Sequence, residues 1–191
     1  MRWRLRRRDR AVPSHRAVRE EAQRIVAGMP LPCPFTLAGL VGNVAAERGR
    51  EIHLVPVPDR LLGGSSLCGL WLKQEELGLD LIFYPHSTSK WHQEKIILHE
   101  LAHLWCDDAD GVTQQEMAEL LGDFPPALIG MLVGRGQAAA RRRYGTHTEA
   151  RAETVADVIQ QRAYAQSAQE SGDAVLRALS DSLTYPNRTS P

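Results

Sequence analysis

Residues 99–103 read His-Glu-Leu-Ala-His, two imidazoles four residues apart with a carboxylate directly after the first. On a helix, positions 99 and 103 differ by about 40° in azimuth and lie about 6 Å apart along the axis. Two ring nitrogens at that separation can meet one tetrahedral metal ion. Glu100 lies about 100° round from His99, too far to be a natural ligand but well placed to hold a water beside the metal. Ile97, Leu98, Leu101, Leu104 and Trp105 fall on the opposite arc, so the helix has an apolar back and a His-Glu-His front. The plain alternative is an amphipathic helix that carries two histidines by chance. The clean division of faces favours the metal reading, with Zn2+ or another divalent ion such as Mn2+.

Two histidines and a water leave one protein ligand to find. A longer motif with a glycine and a third histidine after His103 is excluded, because Cys106 and Ala109 stand at those positions. Asp107 lies on the same face as His103, but the helix carries it about 6 Å beyond the site. The better candidate lies in Thr-His-Thr-Glu-Ala-Arg-Ala-Glu-Thr-Val-Ala-Asp-Val-Ile, residues 146–159. Glu149 near the start of a helix suits a site of two histidines and one glutamate. Glu153, one turn on, can accept an N–H from a ligand histidine and fix its tautomer. His147 is the other option for a ligand, and an exposed acidic helix face is the plain reading of both glutamates.

These residues need elements to position them. Residues 1–13 read as a basic disordered arm ending at Pro13. Ser14 is expected to cap a helix to about Ala27, with Val18, Ala22, Ile25 and Val26 on one side. Pro30, Pro32 and Pro34 break the chain, and a second helix is expected over about 36–48 with Gly49 as its stop. The period then shortens. Ile52–Val57, Cys68–Lys73 and Leu79–Tyr84 read as strands, and their close spacing predicts mostly antiparallel pairing. Gly63-Gly64-Ser65-Ser66 lacks the lysine and helix start of a phosphate-binding loop and reads as a hairpin turn. The metal-site helix is expected over about 88–107. Thr113 with Glu116 makes a capping box for a short helix. A long helix is expected over about 148–165, and a shorter one over about 172–183. The whole reads as an α+β fold: a small sheet of about three strands packed on the His-Glu-His helix and further helices. One domain is expected over 14–165, with 166–191 a C-terminal helix and tail.

Composition narrows the functions. The chain has 191 residues and zero formal net charge, so no global field favours nucleic acid or an anionic membrane. Six arginines within residues 1–10 and a second cluster at Arg141–Arg143 are the exceptions. Few aromatics accompany them, which argues against direct nucleic-acid binding. No run of 18 apolar residues exists to span a membrane, and no apolar stretch follows the basic start to make a secretory signal. Three scattered cysteines point to free thiols in a reducing compartment, and a cytoplasmic location is expected.

The Leu79–Tyr84 strand, the Ile-Leu-His-Glu-Leu-Ala-His-Leu-Trp helix and the later Glu149-Ala-Arg-Ala-Glu153-Thr-Val155-Ala156 helix together resemble the ImmA/IrrE family of metallopeptidase-like proteins. The resemblance covers about residues 36–165. Glu153 stands where Asn or Asp is common, and Val155 where Phe is common. The resemblance implies a small zincin fold in which His99, His103 and Glu149 bind the metal and Glu100 is the base. It also implies a regulatory metallopeptidase that cleaves or inactivates a helix-turn-helix repressor or antitoxin, as part of a two-gene toxin or regulator system. In that chemistry Glu100 takes a proton from the attacking water and delivers it to the leaving amine. The tetrahedral oxyanion needs a further donor, for which Tyr144 and His147 are candidates; a packed tyrosine at a helix entry is the plain alternative. His92, seven residues before His99, could touch substrate beyond the metal, or be a half-exposed residue of the helix start. The rival to a peptidase is a silent module of the same fold that holds its partner without cutting it.

Overall fold

The computed structural model describes residues 14–63, 68–108, 110–111, 121–122, 124–126, 138–140, 146–171 and 179. Among the described residues five helices surround one mixed sheet. In chain order these are α1 (His15–Gly28), α2 (Leu37–Arg48), β1 (Glu51–Val57), α3 (Arg60–Gly63), β2 (Leu70–Gln74), β3 (Leu79–Pro85), α4 (Lys90–Cys106), β4 (Asp110–Gly111), β5 (Ala138–Ala140) and α5 (Thr146–Ser171).

The helix starts follow from capping chemistry. Ser14, Thr36 and Ser89 sit in extended conformation, and their hydroxyls accept the amides of Ala17, Gly39 and His92. Each satisfies an N–H that the first turn leaves without a carbonyl. Gly49 ends α2 at a φ of 63°, in the left-handed region where glycine has no Cβ penalty.

The sheet order is β1-β3-β2-β5-β4. Strand β3 runs antiparallel to β2 and parallel to β1. Three of the four pairings are antiparallel, in line with the expected mostly antiparallel sheet, and the parallel β1–β3 pair makes the sheet a mixed one. Residues 58–69 are long enough to carry the chain past the position of β3. The tight turn 75–78 then folds β3 back between β1 and β2.

Alternation along the strands sends side chains to two cores. On one face Trp71 and Ile82, with Ile52, Leu54 and Tyr84, join α1, α2, α4 and α5 through Val26, Leu40, Val44, Leu98, Leu101, Val155 and Ile159. On the other, Leu70, Leu72, Phe83 and Val57 pack with Leu62, Leu121 and Phe124. Asp80 is buried between the strands. It accepts Arg50 Nε at 2.6 Å and the Trp71 indole N–H at 2.9 Å. Arg50 also donates to the carbonyls of Gln74 and Leu79, tying the start of β1 to the β2–β3 turn. Helix α4 lies against β2 and β3 on one side and along α5 on the other, and α1 packs along α5. No helix among the described residues is long and apolar enough to cross a membrane. The basic arm 1–13, the capping box at Thr113 and Glu116, Arg141–Arg143 and nearly all of the helix expected at 172–183 lie outside the described residues.

Candidate metal centre

Helix α4 turns His99, Glu100 and His103 to the side away from its Leu98–Leu101–Leu104 core contacts, as the spacing requires. The two Nε2 atoms stand 3.1 Å apart, with the rings edge to face. Helix α5 brings Glu149 to the same point. Its Oε2 lies 3.7 Å from His99 Nε2, and its Oε1 3.6 Å from His103 Nε2. One ligand atom from each of these three residues lies within 4.8 Å of the others. Two imidazole nitrogens and a carboxylate oxygen converging so closely could hold a metal ion.

The other sequence candidates separate. His147 Nε2 is 2.9 Å from Glu21 of α1 and belongs to a surface pair, apart from the three-residue cluster. Asp107 adopts a φ of 55° at the end of α4 and pairs with Lys73 and Arg48. Glu153 comes to 3.7 Å from His99 Nδ1, longer than a direct hydrogen bond, and gives its shorter contact, 2.7 Å, to Lys95. His92 is exposed and lines the cavity in front of the trio. Tyr144 lies outside the described residues.

Glu100 is 1% exposed. Its Oε2 accepts the backbone N–H of Trp71 at 3.1 Å. That amide is therefore turned away from β3, toward α4. The approach is so close that a Cβ on Gly69 would fall 2.6 Å from Ile96 Cγ2 and 3.0 Å from Glu100 Oε1. Only glycine lets helix and strand meet there. Strand β5 pairs along Leu72–Gln74, while Cys68 and Gly69 line the cavity.

That cavity, of about 470 Å3, runs along α4 from Trp91 and His92 past Lys95 and Ile96 to His99 and Glu100. Glu149 and Glu153 of α5 form its other wall. Lys95 is held by Glu153 and Asp157, which raise its pKa against the effect of burial.

One partner of the trio has no counterpart in the sequence reading. His103 Nδ1 lies 3.0 Å from Asp108 Oδ2. Arg151 Nη2 approaches both oxygens of Asp108, at 2.6 and 2.5 Å. Burial pushes the Asp108 carboxyl up, but the bonds from His103 and Arg151 outweigh it and hold the group below its ordinary range. The reach arises where α4 ends. Asp107 in the left-handed conformation lets Asp107 N–H bond Leu104 O and Asp108 N–H bond His103 O, folding Asp108 back onto the helix. The only hint in the sequence is an Asp-Asp pair at a helix end. Compared with protein-family models, with curated proteins and with solved structures, the chain finds no match.

Proposed function

We propose that this chain is a metal-dependent endopeptidase of regulatory type, with Zn2+ or another divalent ion such as Mn2+ held by His99, His103 and Glu149. The observation that carries the reading is the convergence of those three side chains beside a buried glutamate at the head of one cavity. A bound divalent ion would supply a Lewis acid that polarises a scissile carbonyl and makes water acidic. Glu100 would take the proton of the attacking water on its carboxylate and pass it to the leaving amine nitrogen. The Trp71 amide holds that carboxylate in place. Substrate would be an extended polypeptide segment beside Cys68 and Gly69, with side chains directed into the cavity along α4. The resemblance to ImmA/IrrE proteins supports a helix-turn-helix repressor or antitoxin as that substrate.

One observation favours a second reading. A glutamate 1% exposed and bonded to a backbone amide would, on this reading, serve to lock α4 onto β2. The chain would then be a metal-containing module that sequesters its partner without cutting it. Metal content and hydrolysis of fluorescently labelled casein, measured for the native chain and for Glu100→Gln, separate the readings. The peptidase reading expects about one metal per chain in both proteins, with hydrolysis lost in the variant by 100-fold or more. Metal bound by a native chain that hydrolyses nothing, including a co-expressed helix-turn-helix partner, leaves the module. A native chain that binds no metal overturns both.

A further inference from the structure

The charged contacts behind His103 continue beyond Asp108. Arg151 Nη1 lies 3.7 Å from Glu21 Oε1, and the other oxygen of Glu21 is 2.9 Å from His147 Nε2. A chain of side chains thus runs from α1 (Glu21), through α5 (Arg151) and the end of α4 (Asp108), to the ring of His103. We propose that Asp108, Arg151 and Glu21 form a positioning relay that fixes His103 as a metal ligand, so that α1 sets metal affinity from two side chains away. The inference rests on the metal reading above and adds to it which groups outside the ligand set govern binding.

The argument starts from the ring. Imidazole binds metal through a nitrogen that carries no proton, and in the neutral ring the other nitrogen carries it. Asp108 at 3.0 Å accepts the Nδ1 proton. Nε2 is then left with its lone pair toward His99 Nε2 and Glu149 Oε1. The reversed tautomer would place a proton where the ion must sit. His103 is fully buried, so bulk water does not stand in for a lost acceptor.

A carboxylate at a helix end has rotational freedom, and Arg151 removes it by gripping both oxygens. Glu21, 3.7 Å from Arg151 Nη1, adds a weaker electrostatic hold on the side of Arg151 turned away from Asp108. The corresponding group on His99 is looser, since Glu153 is half exposed, stands 3.7 Å off and is shared with Lys95. His103 is therefore the ligand whose orientation the fold controls most tightly.

The test uses the full-length chain. Zn2+ affinity is measured by competition with a chromophoric chelator. The melting temperature of the metal-free protein reports the fold, and the absorption bands of the Co2+-loaded protein report ligand geometry. Asp108→Ala is expected to bind Zn2+ 10- to 100-fold more weakly. Arg151→Gln is expected to weaken it about tenfold and Glu21→Gln a few-fold, in that order along the relay. The Co2+ bands should shift in the first two variants. If Arg151→Gln fails to fold, Arg151→Lys, which keeps the cation and loses the two-oxygen grip, takes its place. Unchanged Zn2+ affinity and Co2+ bands in Asp108→Ala overturn the relay. So does a loss of affinity that only follows a fall in metal-free stability while the Co2+ bands stay put. A native chain that takes up neither ion overturns the metal reading itself, a result distinct from indifferent variants of a metal-binding chain.

Discussion

At the scale of single residues, the trio makes different demands on each carboxylate near it. Among the described carboxylates Glu149 approaches both histidine Nε2 atoms, so Glu149→Ala is expected to weaken Zn2+ binding as severely as His99→Ala or His103→Ala. Glu153→Ala should cost tenfold or less, because that group is half exposed and committed to Lys95. His147→Ala should have a still smaller effect, felt only through Glu21. One metal titration of these variants in a common buffer decides it, and loss of metal in His147→Ala with retention in Glu149→Ala would make the site a different one. The thiols give a pH-dependent check. Burial, as the largest influence, raises the Cys106 pKa, whereas Cys33 and Cys68 are exposed. The thiolate is the reactive form, so at pH 8 iodoacetamide should label Cys33 and Cys68 first. Cys106 should follow only as the pH rises further, as peptide mass mapping would show; equal labelling of all three at pH 8 would contradict its burial. His99 and His103 could be read as a pair from spacing because the α-helix fixes where i and i+4 point, whereas Glu149, on another helix, was legible only as an acid downstream of that pair. Asp108 could not be read, because it reaches His103 only through a left-handed residue that no periodicity announces.

At the scale of elements, two junctions decide whether the trio meets. The first is the crossing of α4 over β2 at Gly69. An added methyl would fall 2.6 Å from Ile96 Cγ2 and 3.0 Å from Glu100 Oε1, so Gly69→Ala must move one of them. The closer clash is with Ile96, which must shift, and its movement on the same helix face is expected to disturb Glu100 and the Trp71 bond. Hydrolysis should fall by more than metal affinity, because Glu100 is not one of the three residues that could hold the ion. A variant with native turnover would show that the crossing has slack. The second junction is the turn after α4. Left-handed conformation costs a non-glycine residue about 1–2 kcal/mol, and the exposed pairs of Asp107 with Lys73 and Arg48 return little of it. Asp107→Gly is therefore expected to leave metal affinity unchanged and to hold or raise the melting temperature. Asp107→Val, with a branched Cβ in that conformation, should lower both. The helices were legible in the sequence because Ser14, Thr36 and Gly49 mark their ends by side-chain chemistry. The parallel pairing of β1 with β3 was not, because strand direction depends on where residues 58–69 travel, and alternation is the same for either sense.

At the scale of the whole molecule, the candidate ligands come from two helices that also meet through apolar packing and the pairs of Lys95 with Glu153 and Asp157: α4 supplies both histidines and α5 the glutamate. Helix α5 also packs along α1, which returns to the site through Glu21 and Arg151. An ion bound at the trio would close a loop through α4 and α5 that the unfolded chain cannot form, so its binding free energy adds to folding stability. At free metal one hundred times the dissociation constant the gain is about 2.7 kcal/mol, and it grows by about 1.4 kcal/mol for each further factor of ten. For a chain of this length about 1 kcal/mol moves the melting temperature by roughly 2–4 °C. Removal of metal with a chelator is thus expected to lower the melting temperature by about 5–10 °C, and stoichiometric Zn2+ should restore it. The same treatment of Glu149→Ala should shift the melting temperature far less, because the α4–α5 link is lost with the carboxylate. Asp80→Ala supplies the contrast. It strips the buried partner from Arg50 and the Trp71 indole, neither of which belongs to the trio, and should cost about 3 kcal/mol or more in the presence and absence of metal alike. If the chelator-induced shift were as large in Glu149→Ala as in the native chain, the ion would be held elsewhere.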